Sequence, residues 1–235
     1  MRPIGLLWVT VAALAVITSG CSSTEAPKPA SSEPLATRPG AVGAGGAGAN
    51  LTDGEFVRDV ALKNMAEVEL SRMALDRATT PAIKAFAQIM LGDHESAGQN
   101  LESALSGQPI DWPTQLDDKH RKTADELAKK QGADFERDYV KAMVEGHQDL
   151  AAKLESRLDV QSLADWKTAA AGRAQSKALP EPGTAMRDVQ VRPNTSDREV
   201  TMKINRWAAE TYPVAQKHLD MARTLETSAK RHSTN

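Results

Sequence analysis

The sequence of 235 residues is poor in cysteine, in aromatic residues and in excess charge of either sign. Its single cysteine, Cys21, excludes an internal disulfide framework and a zinc site built from several cysteines. The 29 basic and 31 acidic side chains nearly cancel, so the basic excess typical of a nucleic-acid-binding protein is missing. Aromatic residues make up 4% of the chain, which favours an all-α fold over a β-sandwich or barrel.

The common catalytic motifs are missing from the sequence as well. It contains no G-x-G-x-x-G, Walker loop, G-x-S-x-G, H-E-x-x-H or C-x-x-C motif. The glycines at 43–48 do not follow a predicted strand, which argues against a phosphate-binding loop. A hydrolase is disfavoured because no nucleophile stands in a suitable set of residues, and we expect a protein that is not an enzyme.

The first 20 residues predict an export signal. Arg2 precedes an uncharged and mostly apolar run at residues 4–17, which is shorter than the roughly 20 residues of a membrane span. Small residues then lead to Cys21, an arrangement that resembles the lipobox of bacterial lipoproteins, although Thr18 stands where that motif usually has Leu. The resemblance implies that Cys21 carries a lipid that anchors the chain to a membrane. An ordinary secreted protein is the alternative.

The lipid would be followed by a tether and then by the folded domain. By resemblance to Gram-negative sorting rules, Ser22 favours the periplasmic face of the outer membrane over the inner membrane. Residues 21–50 are rich in Ser, Pro, Ala and Gly, and their four charged side chains sum to zero. Such a stretch cannot bury enough apolar surface to fold. It therefore predicts a flexible tether ahead of a domain at residues 51–235.

From Leu51 onward the sequence predicts helices connected by short loops, and no strand. Two S-x-x-E or T-x-x-E capping boxes, at residues 52–55 and 196–199, and a Thr80-Pro81 start mark helix beginnings, while Gly107 and Gly132 mark helix ends. The predicted helices cover about 52–78, 81–106, 114–130, 134–158 and 162–178, and a last helix runs from the capping box at 196–199 to about 230. Long helices with short connections favour an antiparallel helical bundle.

Three of the five histidines recur in one frame, H-x6-L-E-[ST], at His94, His147 and His218. A spacing of seven is two helical turns, so each histidine shares the apolar face of its helix with the following leucine. Three helices are therefore expected to point one imidazole each toward a common core. The first helix places Glu67 on its apolar face, with Glu69 on a neighbouring face, whereas the other two histidines, His120 and His232, lie in polar surroundings and are expected to be solvated.

Two interpretations of these histidines remain open. In the first, each is a core histidine that is hydrogen-bonded to a group such as Asp93, Glu67 or Tyr139. In the second, the three imidazoles and Glu67 or Asp93 bind a single transition-metal ion. A di-iron centre is disfavoured because its Glu-x-x-His pairs are missing. The sequence does not fix the relative heights of the rings, and on the sequence alone we favour the first interpretation.

Four stretches resemble a known bacterial family: AEVELSRMAL (66–75), IKAFAQIMLGDH (83–94), GADFERDYVKAMVEGH (132–147) and WAAETYPVAQKHLDMA (207–222). The chain is similar to the domain of unknown function 4142 family, whose members are mostly exported proteins, many of them lipoproteins, with a ferritin-like helical bundle. Residues on the family's recurrent polar positions are Glu67, Asp93, His94, His147 and His218. Two departures are Glu136, where Asp is usual, and residues 159–199, which are longer than the usual link and resemble an inserted helix and loop.

The family has no assigned activity, so the resemblance implies fold and location only. We expect a ferritin-like bundle in a lipid-anchored protein of the cell envelope that acts as a structural or interaction module. The alternative is a metal-binding protein that uses its core histidines and glutamate for storage, sensing or redox protection. The membrane is the expected partner, through the lipid on Cys21, nucleic acid is not expected, and no protein partner can be named.

Overall fold

A computed structural model describes residues 51–175 and 189–232 of the chain. The described residues form six helices: α1 (Asp53–Arg77), α2 (Pro81–Ala104), α3 (Asp118–Ala128), α4 (Gly132–Glu155), α5 (Val160–Gln175) and α6 (Glu199–His232). Within these two ranges, the β-structure is limited to one isolated bridge, between Leu158 and Pro193. The predicted all-α fold is confirmed. The predicted signal, the lipidated Cys21 and the tether lie outside the described residues, as does part of the predicted insertion.

The first predicted capping box is present, and the second is not. The Thr52 hydroxyl accepts a hydrogen bond from the Glu55 backbone N–H, and the Glu55 carboxylate accepts one in return from the Thr52 N–H at 2.8 Å. The prediction that Ser196 caps α6 was wrong. Its hydroxyl accepts instead from the N–H of Arg198, two residues ahead at 3.1 Å, which makes a turn before the helix.

The start of α5 also differs slightly from the prediction. The helix begins at Val160, two residues before the expected Ser162. Asp159 provides the cap, because its carboxylate accepts from the backbone N–H of Ser162 at 2.9 Å.

The N-terminus of α2 is stabilised by a side chain from another helix. Thr80 precedes Pro81 as predicted, but its hydroxyl does not cap α2 and donates instead to Oε2 of Glu136 on α4 at 2.6 Å. Oε1 of Glu136 accepts from the backbone N–H groups of Thr79 and Thr80 at 2.5 and 2.7 Å and from the Thr79 hydroxyl at 2.9 Å. A carboxylate at this place satisfies free N–H groups and complements the helix dipole. Glu136 thereby joins the beginnings of α2 and α4.

Four long helices form a ring in the order α1, α2, α6, α4, in which every neighbouring pair is in contact. At one end, Asp53 at the start of α1 binds Arg157, just after α4, and Thr201 near the start of α6. At the other end, Glu136 at the start of α4 binds the loop between α1 and α2. Neighbours in the ring are therefore antiparallel, and the connection that contains α3 must cross the length of the bundle. One long crossover of this kind is the ferritin-like arrangement.

The core consists of two hydrophobic clusters, one toward each end of the bundle. Large buried residues of the first cluster, near the Glu136 end, are Leu70, Phe86, Met90, Phe135, Tyr139 and Met143. Large buried residues of the second are Phe56, Leu101, Leu154, Ile204, Trp207 and Tyr212. The boundary between the clusters falls at the same level on all four helices, and it is occupied by buried polar side chains.

Helix α5 lies outside the ring of four helices. It contacts the bundle through Trp166, whose ring meets that of Tyr212 edge to face at 5.2 Å, and through an ion pair of Lys167 with Glu155 at 2.8 Å. None of the described helices is both long enough and apolar enough to span a membrane.

Candidate metal centre

Each of the four ring helices contributes one side chain to a buried polar cluster. These are Glu67 from α1, His94 from α2, His147 from α4 and His218 from α6, and their exposed fractions are 4%, 5%, 0% and 1%. The centroids of the three imidazole rings lie 5.3–5.5 Å from one another. The rings are therefore at one height in the bundle, which the sequence alone could not establish.

The inner atoms of these four side chains converge. Nε2 of His147 lies 3.4 Å from Nε2 of His94 and 3.3 Å from Nδ1 of His218. Oε2 of Glu67 lies 2.8 Å from Nε2 of His94 and 3.4 Å from Nε2 of His147. One nitrogen from each ring falls within 4.8 Å of the others. We call these four residues the central cluster.

The outer nitrogen of each ring contacts a hydrogen-bond acceptor. Nδ1 of His94 lies 3.0 Å from Oδ1 of Asn64, and Nδ1 of His147 lies 3.0 Å from the backbone carbonyl of Met143. Nε2 of His218 lies 2.8 Å from a carboxylate oxygen of Asp93. Because each partner accepts, the ring proton belongs on the outer nitrogen. In a neutral ring the inner nitrogen is then left with a lone pair.

Three lone pairs and a carboxylate thus face one another with no donor between them. Oε2 of Glu67 is buried and forms no hydrogen bond of acceptable geometry. A buried acceptor without a donor is costly. A cation at the centre of the cluster would satisfy all four groups at once. The outer hydrogen bonds match those that orient histidine ligands around metal ions in proteins.

The electrostatic surroundings favour the same charge state that a metal requires. Burial lowers the pKa of His147, and it lowers the pKa of His218 to about 4, so that both rings are neutral at pH 7. Burial alone would raise the pKa of Glu67, but in the acidic range the protonated rings of His147 and His94 outweigh burial and hold that pKa at about 2. The carboxylate therefore ionises before the rings lose their protons as the pH rises. Neutral imidazoles and an ionised carboxylate are the forms that bind a divalent cation.

Two glycines make room for the cluster. A Cβ atom at Gly146 would lie 2.7 Å from Oε1 of Glu67, and a Cβ atom at Gly98 would lie 2.8 Å from the amide nitrogen of Asn64. Gly146 therefore allows the Glu67 carboxylate to approach the backbone of α4. Gly98 likewise allows the side chain of Asn64, which binds His94, to approach the backbone of α2.

Salt bridges position α1 against α4 beside the cluster. Lys63, which is buried one helical turn before Glu67, pairs with Asp149, and Lys153 pairs with Asp59 at 3.1 Å. These pairs lie on the face of α1 that also carries Glu67, because their positions are spaced by four residues.

Four of the five candidate residues from the sequence come together, and the fifth has a different place. Asp93 does not face the centre of the cluster but binds His218 from the outside, with 45% of its side chain exposed. Glu69 is exposed. The expectation that His120 is solvated was wrong, because only 14% of its side chain is exposed and its Nδ1 lies 2.7 Å from Asp117, whose carboxylate caps α3. The side chain of His232 lies outside the described part of the chain.

The residues that support the cluster could not be recognised in the sequence. Asn64, the Met143 carbonyl, Gly98 and Gly146 carry no pattern that separates them from ordinary helix residues. One signal was available in part: Asn64 precedes Glu67 by three residues and therefore lies on the same helix face.

A model of the family described as domain of unknown function (DUF4142) matches residues 39–176, which is more than half of the chain. The chain belongs to the DUF4142 family. The resemblance noted in the sequence is thereby confirmed. The matched range includes Glu67, His94 and His147 of the central cluster but ends before α6 and His218.

Residues 207–222, which contributed to the resemblance, lie outside the part of the chain that the DUF4142 model matches. Neither a search of curated proteins nor a search of solved structures returned a significant match.

Proposed function

We propose that this protein binds a single transition-metal ion at the centre of its helical bundle, with His94, His147, His218 and Glu67 around the ion. The observation that carries the proposal is the convergence of three imidazole nitrogens beside a buried carboxylate oxygen that contacts two of the rings. The acceptors at the outer nitrogens place the ring protons away from this centre. Imidazole suits zinc, copper, iron and nickel, and the carboxylate adds the negative charge that a divalent ion prefers. Storage, sensing and redox protection are all compatible with such a site.

The other interpretation, that the histidines are structural and only hydrogen-bonded, explains the outer contacts of the rings but not the inner ones. It accounts for the outer nitrogens, which bind Asn64, Met143 and Asp93. It leaves the inner nitrogens and Oε2 of Glu67 without donors, so we rank it second, which reverses the preference based on the sequence. A purely structural or interaction module remains the alternative function.

Metal analysis of the purified full chain separates the two functions. We expect one equivalent of a transition metal in the wild type after loading and dialysis, and much less than one in His147→Ala. His120→Ala is the matched control, because it removes a histidine outside the cluster and should leave the metal content unchanged. A wild type that holds no metal after loading would reject the proposal in favour of the structural module.

We further propose that the bundle is attached to the periplasmic face of the outer membrane through a lipid on Cys21. The short apolar run at residues 4–17, the position of the cysteine and the composition of residues 22–50 support this. Cys21→Ser should move the protein from the membrane fraction to the soluble fraction after cell lysis. Wild type that fractionates with soluble proteins would indicate ordinary secretion instead.

A further inference from the structure

We infer that the ion is structural: a four-coordinate ion of the zinc class that is closed off from solvent, has Glu67 as its fourth ligand and joins all four helices of the ring. This inference rests on the proposed metal binding but goes beyond it, since a bound ion can also have an open coordination position or six ligands. Three features of the central cluster support it, namely the spacing of the ligand atoms, their burial and the helices from which they come.

Three of the distances between ligand atoms match the edges of a tetrahedron. Zinc binds imidazole nitrogen at about 2.0–2.1 Å, so ligand atoms at the corners of a tetrahedron around it lie roughly 3.3–3.4 Å apart. Three distances in the cluster have these values: 3.4 Å between His94 and His147, 3.3 Å between His147 and His218, and 3.4 Å between Glu67 and His147. The 2.8 Å between Glu67 and His94 is shorter, and the Glu67 carboxylate contacts His94 and His147 but not His218. To complete a tetrahedron, the carboxylate would rotate away from His94 and toward His218.

The ligand side chains are buried away from bulk water. All four side chains of the cluster are at most 5% exposed. A surface cavity of about 860 Å³ lies between α2, α5 and α6, but its lining contains none of the four residues, and neither does that of a smaller cavity beside Trp112. Catalytic zinc sites have three protein ligands and an open fourth position, whereas structural sites have four protein ligands. Glu67, which contacts His94 and His147, would fill the position that would otherwise be open.

The ligand set favours zinc over its competitors. With three nitrogens, one oxygen and no sulfur, the cluster differs from the thiolate sites that select copper(I) and from the all-oxygen sites that select magnesium or calcium. Copper(II) and nickel(II) prefer square-planar or tetragonal sites, whereas three of the distances between ligand atoms here match the edges of a tetrahedron. Cobalt(II) accepts the same geometry and provides a spectroscopic substitute for zinc.

Each ligand comes from a different helix, so the ion would connect all four members of the ring. Because the site exists only in the folded bundle, the free energy of metal binding would add to the stability of the fold. The ion would stabilise the boundary between the two hydrophobic clusters, where the core is polar. Metal supply would then raise the stability of the fold.

The test replaces zinc with cobalt and reads the visible spectrum of the full chain. We expect the intense d–d bands of a four-coordinate ion, and no change when azide is added, because no coordination position is open. Weak bands of a six-coordinate ion, or a spectrum that shifts with azide, would overturn the inference while leaving metal binding intact. Failure to bind either metal would reject the proposed function itself.

Two further measurements address Glu67 and the stability. Glu67→Gln keeps the size of the side chain but removes the anionic ligand, so the cobalt spectrum should change and zinc affinity should fall at least tenfold. Glu69→Gln, an exposed change on the same helix, should match wild type. Zinc at a hundred times its Kd should raise Tm on the order of 5–10 °C in wild type. An unchanged Tm, or a Glu67→Gln variant with the wild-type spectrum, would contradict the inference. The azide test on wild type decides the matter even if Glu67→Gln does not fold.

Discussion

Replacement of Gly146 by alanine should have opposite effects on the helix, which it stabilises, and on the central cluster, which it disrupts. Gly146 lies inside α4, where alanine normally stabilises a helix by about 1 kcal/mol relative to glycine. At this position, however, the new Cβ would lie 2.7 Å from Oε1 of Glu67, whereas ordinary contacts begin at 3.4 Å. The carboxylate must therefore move by more than half an ångström, away from its place beside His94 and His147.

The expected effect of Gly146→Ala is the difference between two contributions. In the zinc-loaded protein, a lost interaction of the carboxylate with the ion costs about 1.5–3 kcal/mol, which exceeds the helix gain and leaves a net destabilisation of roughly 0.5–2 kcal/mol. For a chain of this size each kcal/mol lowers Tm by about 2–4 °C. Zinc affinity should fall about 10–100-fold, as when a residue that orients a ligand is changed.

Gly92→Ala is the matched control for Gly146→Ala. Gly92 also lies inside a helix, α2, and a Cβ atom there meets nothing within 4 Å. This variant should gain up to about 1 kcal/mol in urea unfolding and keep its zinc affinity. If Gly146→Ala were stabilised as much as Gly92→Ala and bound zinc equally well, the position assigned to Glu67 would be wrong.

Three other variants test separate parts of the structure. Asp93→Asn weakens the charged partner of His218 and should lower zinc affinity about 10–100-fold in a calorimetric titration, with the fold unchanged because Asp93 is half-exposed. Glu136→Gln should cost about 1–3 kcal/mol in urea unfolding at pH 7. The hydrogen bonds from Thr80 and Thr79 outweigh burial and lower the pKa of Glu136, so the stability it contributes is present above pH 4.5 and is lost as the pH falls further. Leu154→Ala removes a fully buried side chain of the second hydrophobic cluster and should cost about 2–5 kcal/mol in the same assay.

Each of these variants has a control on the same kind of surface or helix. Glu95→Gln is a partly exposed change two residues from Asp93 and should leave zinc affinity unchanged, so equal losses in both would refute the role of Asp93. Glu145→Gln is an exposed change on α4 and should leave the free energy of unfolding unchanged. If the loss of stability in Glu136→Gln did not become smaller between pH 4.5 and pH 3, the capping interaction would be contradicted. Val160 is 79% exposed, so Val160→Ala should change the free energy of unfolding little. A similarly small change in Leu154→Ala would refute the position of Leu154 in the core.

The helices and the ligand candidates could be predicted from the sequence because both depend on local periodicity. A spacing of seven placed His94, His147 and His218 on apolar faces, and the Thr52 capping box placed the start of α1. The level at which the three rings meet could not be predicted, since it depends on how far each helix slides along its neighbours. That register is determined by contacts between residues far apart in the chain, such as Glu136 with Thr80.

The supporting residues were beyond sequence reasoning for a similar reason. Asn64 and Gly146 acquire their roles only from what lies across the helix interface, so nothing in their own neighbourhood distinguishes them. Ser196 shows the opposite case, in which a local motif was present but the chain used the serine in a turn, because its hydroxyl bonds two residues ahead rather than three. A local motif predicts where a cap can form, but the surrounding packing determines which hydrogen bond the side chain makes.

X-ray absorption at the zinc edge of the loaded protein tests the central claim most directly, because it counts the atoms bound to the ion. The structure leads us to expect four nitrogen or oxygen ligands at about 2.0–2.1 Å, with the outer-shell scattering of three imidazole rings. A spectrum with sulfur, with six oxygen ligands or with fewer than three imidazoles would show that His94, His147 and His218 do not share one ion.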